Sequence, residues 1–312
     1  MSGTGRFAPS PTSDLHVGNL RTALLAWVFA RATGRAFVVR IEDLDQARVG
    51  ATPDVTRRQL DDLAALGLDG DAPPVVQSER RAIYHDAIAR LDTYECFCTR
   101  AEIAQAASAP HGDYRPYPGT CSRLSPAERA ARRATGRVPA LRVRAGGVGF
   151  TVHDRHAGTV TRVVDDFVLL RGDGTPAYNL ASVVDDGLSG VDQVVRGADL
   201  LDSAPRQAWL ATRLGFVVPE YVHVGMAVNR DGVRLAKRDG AVTLRELAAL
   251  GHLPGDVVAM LCASLGWPEA DSAPAVLAHV RARPGLLDAP GVWTPWVVDP
   301  GRPTTPTANR PA

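Results

Sequence analysis

The sequence contains one lysine, and its neighbours indicate a site that binds phosphate. Lys237 is the only lysine among the 35 Lys and Arg residues. It follows Arg234 and precedes Arg238 in a polar segment that ends in Asp-Gly, a pattern typical of a loop. A mobile ammonium can follow a phosphate as charge shifts, whereas a planar guanidinium imposes a fixed fork. We interpret Lys237 as a phosphate-binding residue, although an arginine-rich composition would also leave a solitary lysine by chance.

Three cysteines are spaced as ligands of a metal ion. Cys96 and Cys98 form a Cys-x-Cys pair, and Cys121 follows. Thiolates are soft ligands that select Zn²⁺ in tetrahedral sites, and two thiols this close do not form a comfortable disulfide. The spacing leaves the fourth ligand open, with His111 as the ordinary chemical choice. Cys262 lies in an apolar helix pattern and is predicted to be a core residue.

The N-terminal segment predicts a strand, a loop and a helix that could receive a nucleotide. Residues 4–8 form the expected strand, a Pro-rich loop follows, and a helix is predicted over residues 18–33. His16, Gly18 and Asn19 stand at the start of that helix. Helix N-termini offer free amide donors and a positive dipole to phosphates. The His-x-Gly pattern alone is weak, since a histidine at this position is more often a cap.

The order of the following elements predicts an α/β fold with a doubly wound parallel sheet. The apolar run AFVVRIED indicates a buried parallel strand, and helices are expected over residues 53–67 and 78–94. We divide the chain into five units: a first catalytic half at 1–94, a zinc-binding insertion at 95–160, a second catalytic half at 161–240, a helical subdomain at 241–298 and a disordered tail at 299–312.

Composition excludes several classes of protein. With 312 residues and 45% hydrophobic content the chain can bury a large core. The formal charge is +1, so any contact with RNA must come from local clusters. The sequence has no run of about 18 apolar residues and no apolar leader, so we expect no membrane contact and a cytoplasmic location. We also expect a monomer.

The helix-start motif and the lysine segment together resemble the signature pair of class I aminoacyl-tRNA synthetases. Further motifs are similar to glutamyl-tRNA synthetases in particular and cover most of residues 3–265. They are Arg6-Phe-Ala-Pro-Ser-Pro-Thr12, Leu15-His-Val-Gly18, Arg40-Ile-Glu-Asp-Leu-Asp45, Ala177-Tyr-Asn-Leu180 and Val183-Val-Asp-Asp186. The resemblance implies a Rossmann-like catalytic domain that activates L-glutamate with ATP and Mg²⁺.

The cysteine pattern and Val195-Arg-Gly-Ala-Asp-Leu200 look like the shorter branch of this family, the glutamyl-queuosine tRNA(Asp) synthetases. Ordinary glutamyl-tRNA synthetases continue into a large anticodon-binding domain, which we do not expect here. The branch implies that glutamate is activated without tRNA and is transferred to queuosine in the anticodon loop of tRNA(Asp). It also implies that Tyr117 is the fourth zinc ligand, beside Cys96, Cys98 and Cys121.

The resemblance also implies the roles of individual residues. His16 and Lys237 are the expected catalytic residues, acting on the α-phosphate and on the leaving pyrophosphate. The expected ATP-binding residues are His16, Gly18, Asn19, Arg234, Lys237 and Arg238. The expected glutamate-binding residues are Arg6, Ala8, Ser10, Glu42, Tyr178 and Arg196. A guanidinium binds a carboxylate bidentately and finds no comparable partner in glutamine.

The sequence departs from the family pattern at three positions. Ser182 stands where glutamyl-tRNA synthetases usually have asparagine, Arg234 replaces the first lysine of the lysine motif, and Ala236 replaces its serine. Three alternatives therefore stay open. They are a glutamyl-tRNA synthetase acting on tRNA(Glu), a non-catalytic relative that binds glutamate or tRNA, and a class I nucleotidylyltransferase for another acid.

Overall fold

The computed structural model describes residues 3–49, 54–99, 101–103, 117–233, 235 and 242–298. The strands are β1 (Thr4–Phe7), β2 (Ala36–Ile41), β3 (Val75–Val76), β4 (Thr93–Cys96), β5 (Ala140–Val143), β6 (Val148–Asp154), β7 (Gly158–Val164), β8 (Val168–Leu170), β9 (Val191–Gly197), β10 (Glu220–Val224), β11 (Ala227–Val228) and β12 (Trp296–Val297). The helices are α1 (Val17–Ala32), α2 (Gln46–Val49), α3 (Val55–Ala65), α4 (Arg81–Ala89), α5 (Pro126–Ala134), α6 (Tyr178–Leu188), α7 (Ala204–Leu214), α8 (Leu244–Ala249), α9 (Pro254–Leu265), α10 (Ala273–Ala282) and α11 (Pro290–Trp293). Short 3-10 helices span Gln77–Arg80, Thr120–Arg123, Ala198–Ser203 and Pro284–Asp288.

The main sheet has seven strands in the order β3-β2-β1-β9-β10-β6-β7. Every neighbouring pair is parallel except the β6–β7 hairpin. The order reverses between β1 and β9, because β1 leads through α1 to β2 on one side and pairs with the much later β9 on the other. Ligands of such sheets bind at this switch point, outside the carboxyl ends of the strands. The predicted α/β doubly wound sheet is confirmed.

Helix α1 packs at the centre of the molecule. Its sequence is apolar on nearly all sides, which is typical of a helix covered all round, and its residues from Ala23 to Ala30 are buried. It contacts β1, β2, β9 and α10. Gly5 of β1 permits this packing, because a Cβ there would lie 2.7 Å from the Cβ of Ala30. The helix therefore joins the sheet to the C-terminal helices.

The segment predicted as an insertion has two parts. Strands β4, β5 and β8 form a separate antiparallel sheet. The β6–β7 hairpin instead extends the main sheet, where Asp154 lies opposite Tyr221 of β10. Helix α5 begins at Pro126, with Ser125 and Glu128 in a capping box, and none of its residues is buried. The domain boundaries drawn from the sequence stay predictions.

The C-terminal helices pack against α1, the helix that follows the first strand of the main sheet. Cys262 of α9 is fully buried in the core cluster that includes α1, which confirms its expected packing role. Buried Arg21 of α1 donates to the carbonyl of Gly225 at 2.7 Å and to Ser264 of α9 at 3.2 Å. Within the described part of the chain, no helix is both long enough and apolar enough to cross a bilayer.

Gly225 gives a test of this packing. A Cβ at this position would lie 1.8 Å from the carbonyl oxygen of Thr294, a main-chain atom that cannot move alone. We predict that Gly225→Ala lowers the free energy of unfolding by about 1–3 kcal/mol, the usual cost of overpacking. Urea unfolding followed by circular dichroism measures it. Gly285→Ala is the matched control because no atom lies within 4 Å of the added Cβ; equal losses in the two variants would contradict the prediction.

Candidate active site

A buried cluster of charges lies at the switch point of the sheet. Arg6 near the end of β1 contacts Asp186 of α6, with Nε 3.4 Å from Oδ1. Arg40 of β2 donates to the same carboxylate from Nη1 and to Ser182 from Nη2 at 3.1 Å. Burial alone would raise the pKa of Asp186, but Arg40 and Arg6 outweigh burial and lower it. Asp186 is therefore an anion shared by two guanidinium groups.

Glu42 directly follows β2 and lies beside this cluster. Its amide donates to the carbonyl of Pro9 at 2.9 Å, which ties it to the loop after β1. Its Oε1 accepts from Arg40 Nη2 at 3.0 Å. Burial raises the pKa of Glu42, and Arg40 and Arg6 oppose that rise. A buried carboxylate of this kind is suited to a cationic partner such as an ammonium group.

Arg196 lies at the end of β9, next to β1 in the sheet. Its guanidinium donates to Gln207 Oε1 at 2.6 Å and approaches the hydroxyl of Tyr178 at 3.5 Å, both from Nη1. Arg196 is 4% exposed, whereas Tyr178 is 39% exposed at the start of α6. The positive charge of Arg196 also helps to lower the pKa of Asp186. The structure thus brings the predicted Arg6, Arg196, Tyr178 and Glu42 to one edge of the sheet.

Ala8 and Ser10 belong to the loop after β1 that the cluster adjoins. Ala8 directly follows the strand and is half-buried, while Ser10 is exposed. The carbonyl of Ser10 accepts from Thr12 N at 2.9 Å and from Gln59 Nε2 at 3.2 Å. Both residues therefore lie on a loop whose backbone is held by these hydrogen bonds.

His16 and Asn19 cap the start of α1. The ring Nδ1 of His16 accepts from the amide of Gly18 at 3.1 Å, and the side chain of Asn19 accepts from the amide of His16 at 3.2 Å. Because Nδ1 accepts, a neutral His16 ring carries its proton on Nε2. The cap role is the alternative that a histidine at a helix start suggests, and the structure shows this role for Nδ1.

Residues that precede and follow Lys237 in the sequence contact the start of α1. After Lys237, Thr243 forms a capping box with Glu246 and pairs with His16 in a β-bridge. The amide of Val17 also donates to the carbonyl of Val242 at 2.9 Å. On the other side, a Cβ at Gly18 would lie 2.6 Å from the Cβ of Ala227, so the close approach requires glycine. The predicted ATP ligands Arg234, Lys237 and Arg238, and the substituted Ala236, lie outside the described residues.

The three predicted metal-binding cysteines lie together. Their Sγ atoms are all within 4.8 Å of one another, and those of Cys98 and Cys121 are 3.4 Å apart. The hydroxyl of Tyr117 lies 3.5 Å from Cys96 Sγ and 3.7 Å from Cys98 Sγ. Tetrahedral zinc with bonds of about 2.3 Å to sulfur would place two sulfurs roughly 3.8 Å apart. The donor set therefore fits a tetrahedral ion with little movement, whereas His111 lies outside the described residues.

Two contacts of Tyr117 stabilise negative charge on its oxygen, but its burial outweighs them. The amide of Cys121 donates to this oxygen at 2.7 Å, and the guanidinium of Arg142 lies 3.8 Å from the centre of the ring. Burial raises the pKa of Tyr117 and of Cys98, so the two groups are neutral unless a cation binds. A bound divalent ion reverses this preference because it stabilises the deprotonated ligands.

Residues that the sequence analysis gave no role also surround the site. Arg40 and Asp186 were part of quoted motifs but were not assigned, and His223 was missed. His223 Nε2 accepts from Arg196 Nε at 3.0 Å. The available signal was a histidine inside the apolar strand YVHV, because a buried polar side chain must have a partner.

Comparison with known proteins identifies the family to which the chain is similar. The family described as tRNA synthetases class I (E and Q), catalytic domain, matches residues 4–279. A glutamyl-Q tRNA(Asp) synthetase of Nocardia farcinica is 60% identical over 272 residues, 86% of each chain. A glutamate–tRNA ligase of Halorhodospira halophila is 42% identical over 80% of this chain and 56% of its own. The crystal structure of glutamate-tRNA synthetase from Elizabethkingia anophelis superposes with a TM-score of 0.78 at 26% identity, over 96% of this chain and 69% of that one.

The shared carboxylate of Asp186 gives a prediction about stability. Asp186→Asn removes the carboxylate that buried Arg6 and Arg40 share, and we expect the free energy of unfolding to fall by about 3–5 kcal/mol. Asp202→Asn is the control, because Asp202 pairs with Arg162 at the surface, where a pair contributes at most about 1 kcal/mol. Urea unfolding at pH 7 measures both, and a change at Asp186 no larger than that at Asp202 would refute the prediction.

The pH dependence of that difference follows from the lowered pKa of Asp186. A carboxyl with a lower pKa in the folded protein contributes stability above its unfolded pKa of about 3.9. The contribution is lost as the pH falls through the folded value. The difference between wild type and Asp186→Asn should therefore be full at neutral pH and shrink in acid.

Proposed function

The chain belongs to the class I tRNA synthetases for glutamate and glutamine, and on that premise we propose that it activates L-glutamate with ATP and transfers it to queuosine in tRNA(Asp). The observation that carries the proposal is the cluster of Arg6, Arg196, Glu42 and Tyr178 at the switch point of the sheet. It presents two guanidinium groups and one carboxylate to a ligand, which matches two carboxylates and one ammonium of glutamate.

The strand order gives the substrate a direction. Glu42 follows β2, Arg6 lies on β1 and Arg196 lies on β9, and these strands are consecutive in the sheet. Neighbouring strands are about 4.8 Å apart. Glutamate bound across them has its ammonium at Glu42 and its side-chain carboxylate at Arg196 and Tyr178. A side-chain amide offers Arg196 only one acceptor oxygen, so glutamine is bound less well.

Activation joins two anions at the start of α1. An oxygen of the substrate α-carboxylate attacks the α-phosphorus of ATP, the bond to the bridging oxygen breaks, and pyrophosphate leaves. His16 and the amides of the helix start would stabilise the α-phosphate, and Lys237 would hold the pyrophosphate; Mg²⁺ bound with ATP would supply further positive charge there. No general base is required, because the attacking carboxylate is already ionised. A nucleophilic group of queuosine then attacks the carbonyl carbon, and AMP leaves.

The identity of the acceptor is supported by the relatives. Proteins named glutamyl-Q tRNA(Asp) synthetase from Nocardia farcinica and Cutibacterium acnes are 60% and 59% identical to this chain. In this proposal the acceptor is tRNA(Asp) that carries queuosine, and the enzyme acts in the cytoplasm as a monomer. Recognition of an anticodon loop uses splayed bases and local arginines.

The cysteine cluster is a structural zinc site in this proposal. Cys96, Cys98, Cys121 and Tyr117 supply four donors, and zinc closes a segment whose own hydrophobic cluster is small. The cluster shares no ligand with the glutamate and ATP residues. The metal serves the fold of the segment, and the reaction uses the residues at the sheet edge.

We predict glutamate-dependent ATP–pyrophosphate exchange in the absence of any tRNA. Exchange supports activation by the chain alone, exchange that needs tRNA indicates a glutamyl-tRNA synthetase, and no exchange indicates a non-catalytic relative. Glutamine and aspartate are the control amino acids, and exchange that prefers either would refute the glutamate pocket. Arg196→Gln should reduce exchange by at least about 100-fold, because a bidentate carboxylate contact is lost.

The acceptor is tested with radiolabelled glutamate and three RNAs. Label should enter tRNA(Asp) that carries queuosine and should not enter tRNA(Asp) that carries guanosine at the same position. Label in tRNA(Glu) instead would refute transfer to queuosine and favour the acceptor of an ordinary glutamyl-tRNA synthetase.

We predict about one zinc ion per purified chain by elemental analysis. Cys98→Ala should lose the ion and lower the melting temperature, while Cys262→Ala should keep it, because Cys262 is buried in the core away from the cluster. Tyr117→Phe should weaken binding of zinc and His111→Ala should not. Zinc retained by Tyr117→Phe and lost by His111→Ala would show that His111 is the fourth ligand.

A further inference from the structure

The guanidinium of Arg196 is fixed by three neighbours. Nε donates to His223 Nε2 at 3.0 Å, Nη1 donates to Gln207 Oε1 at 2.6 Å, and Nη2 donates to the carbonyl of Leu200 at 3.2 Å. Each contact fixes a different nitrogen. The plane of the guanidinium is therefore set by the protein before any ligand binds.

The count of donors shows what this arrangement leaves for a ligand. A guanidinium has five N–H groups, and three of them are used in these contacts. One hydrogen remains on each terminal nitrogen, and within the described ranges the one further hydrogen bond is the long 3.5 Å approach of Nη1 to the hydroxyl of Tyr178. A carboxylate has two oxygens for these two hydrogens. With Nε occupied by His223, only the terminal nitrogens can receive the ligand.

His223 is itself held in one orientation. Its Nδ1 lies 2.7 Å from Oδ2 of Asp154, which also accepts from the main-chain amide of His223 at 2.9 Å. The other oxygen of Asp154 accepts from the amides of His156 and Ala157, at 3.0 and 2.8 Å. The carboxylate thus stands at the tight turn of the β6–β7 hairpin. The hairpin is therefore connected to the glutamate site through Asp154 and His223.

We propose that His223, oriented by Asp154, is a positioning residue that fixes Arg196 for the side-chain carboxylate of glutamate. This inference rests on the proposed function, in which Arg196 binds that carboxylate. The hydrogen bond to Asp154 requires the proton on Nδ1, and the hydrogen bond from Arg196 requires a lone pair on Nε2. Only the neutral ring with its proton on Nδ1 satisfies both.

The electrostatic environment keeps the ring in this form. Burial lowers the pKa of His223, Asp154 opposes this effect, and the cations Arg196 and Arg6 add to it. A protonated ring would place a second cation against Arg196 and would lose the lone pair that accepts its hydrogen bond. Neutral His223 is therefore the state in which Arg196 is ordered.

The experiment measures ATP–pyrophosphate exchange with L-glutamate for His223→Phe and His223→Gln. Phenylalanine keeps the ring and removes the acceptor, so KM for glutamate should rise about 10- to 100-fold, the effect of displacing a binding group by about 1 Å. KM for ATP should stay within about twofold. Glutamine offers an amide oxygen near the position of Nε2 and should restore most of the affinity for glutamate.

His156→Phe is the matched structural control. His156 lies in the turn of the β6–β7 hairpin, next to Asp154. Its ring contacts the carbonyls of His223 and Leu287 at 3.3 and 3.1 Å and does not contact Arg196. Its KM for glutamate should stay within about twofold of wild type even if the protein is less stable. Melting curves show whether each variant is folded.

The outcomes separate the inference from the proposed function. An unchanged KM for glutamate in folded His223→Phe, with an active wild type, overturns the inference alone. An equal rise in KM for glutamate and ATP, or the same rise in His156→Phe, also overturns it, because the effect would then be structural. If His223→Phe does not fold, His223→Gln is compared with wild type. A KM for glutamate that rises 10-fold or more in His223→Gln shows that the amide oxygen does not replace Nε2, and this contradicts the inference. An inactive wild type overturns the proposed function and the inference with it.

Discussion

The carboxylate of Asp186 allows two arginines to lie together at the switch point of the sheet. Arg6 and Arg40 are 4% and 2% exposed, and two buried guanidinium groups would repel each other without an anion between them. Asp186 contacts both, and its lowered pKa keeps it ionised. The site can therefore keep one positive edge toward an acidic substrate while the charges behind it are balanced within the protein.

The same arrangement explains the departure at Ser182. Ser182 is fully buried and accepts from Arg40 Nη2 at 3.1 Å, so its hydroxyl serves the charge cluster. A buried polar side chain needs a partner, and here the partner is a protein cation. Serine at this position, where asparagine is usual, therefore keeps the charge cluster intact behind the proposed glutamate pocket.

Three segments that are distant in sequence meet at the candidate active site. The start of α1 contacts both Ala227 and Val242, so the two ends of the lysine segment lie at the helix that is expected to bind ATP. The β6–β7 hairpin joins the main sheet beside β10 and supplies Asp154 to His223. The cysteine cluster lies in the other part of the predicted insertion. The segment from β4 to β8 therefore contributes both a cysteine cluster and a hairpin that extends the main sheet.

The local elements and the chemical types of the site residues can be predicted from the amino-acid sequence. Hydrophobic periodicity predicted α1 and β2, and the cysteine spacing predicted a cluster that the structure brings together. These features depend on residues a few positions apart, so a linear pattern records them. The position of Lys237 stays a prediction.

Which distant side chains share a partner depends on the pairing of the strands and cannot be predicted from local patterns. The pairing of β1 with β9 brings Arg6 beside Val195, whose carbonyl accepts from Arg6 Nη1 at 3.3 Å across 189 positions of sequence. The links from Arg40 to Asp186 and from Arg196 to His223 and Asp154 likewise depend on strand order and on the side to which each strand end points. Periodicity along one segment contains no information about its neighbours in a sheet, because long-range pairing is selected by the packing of the whole core.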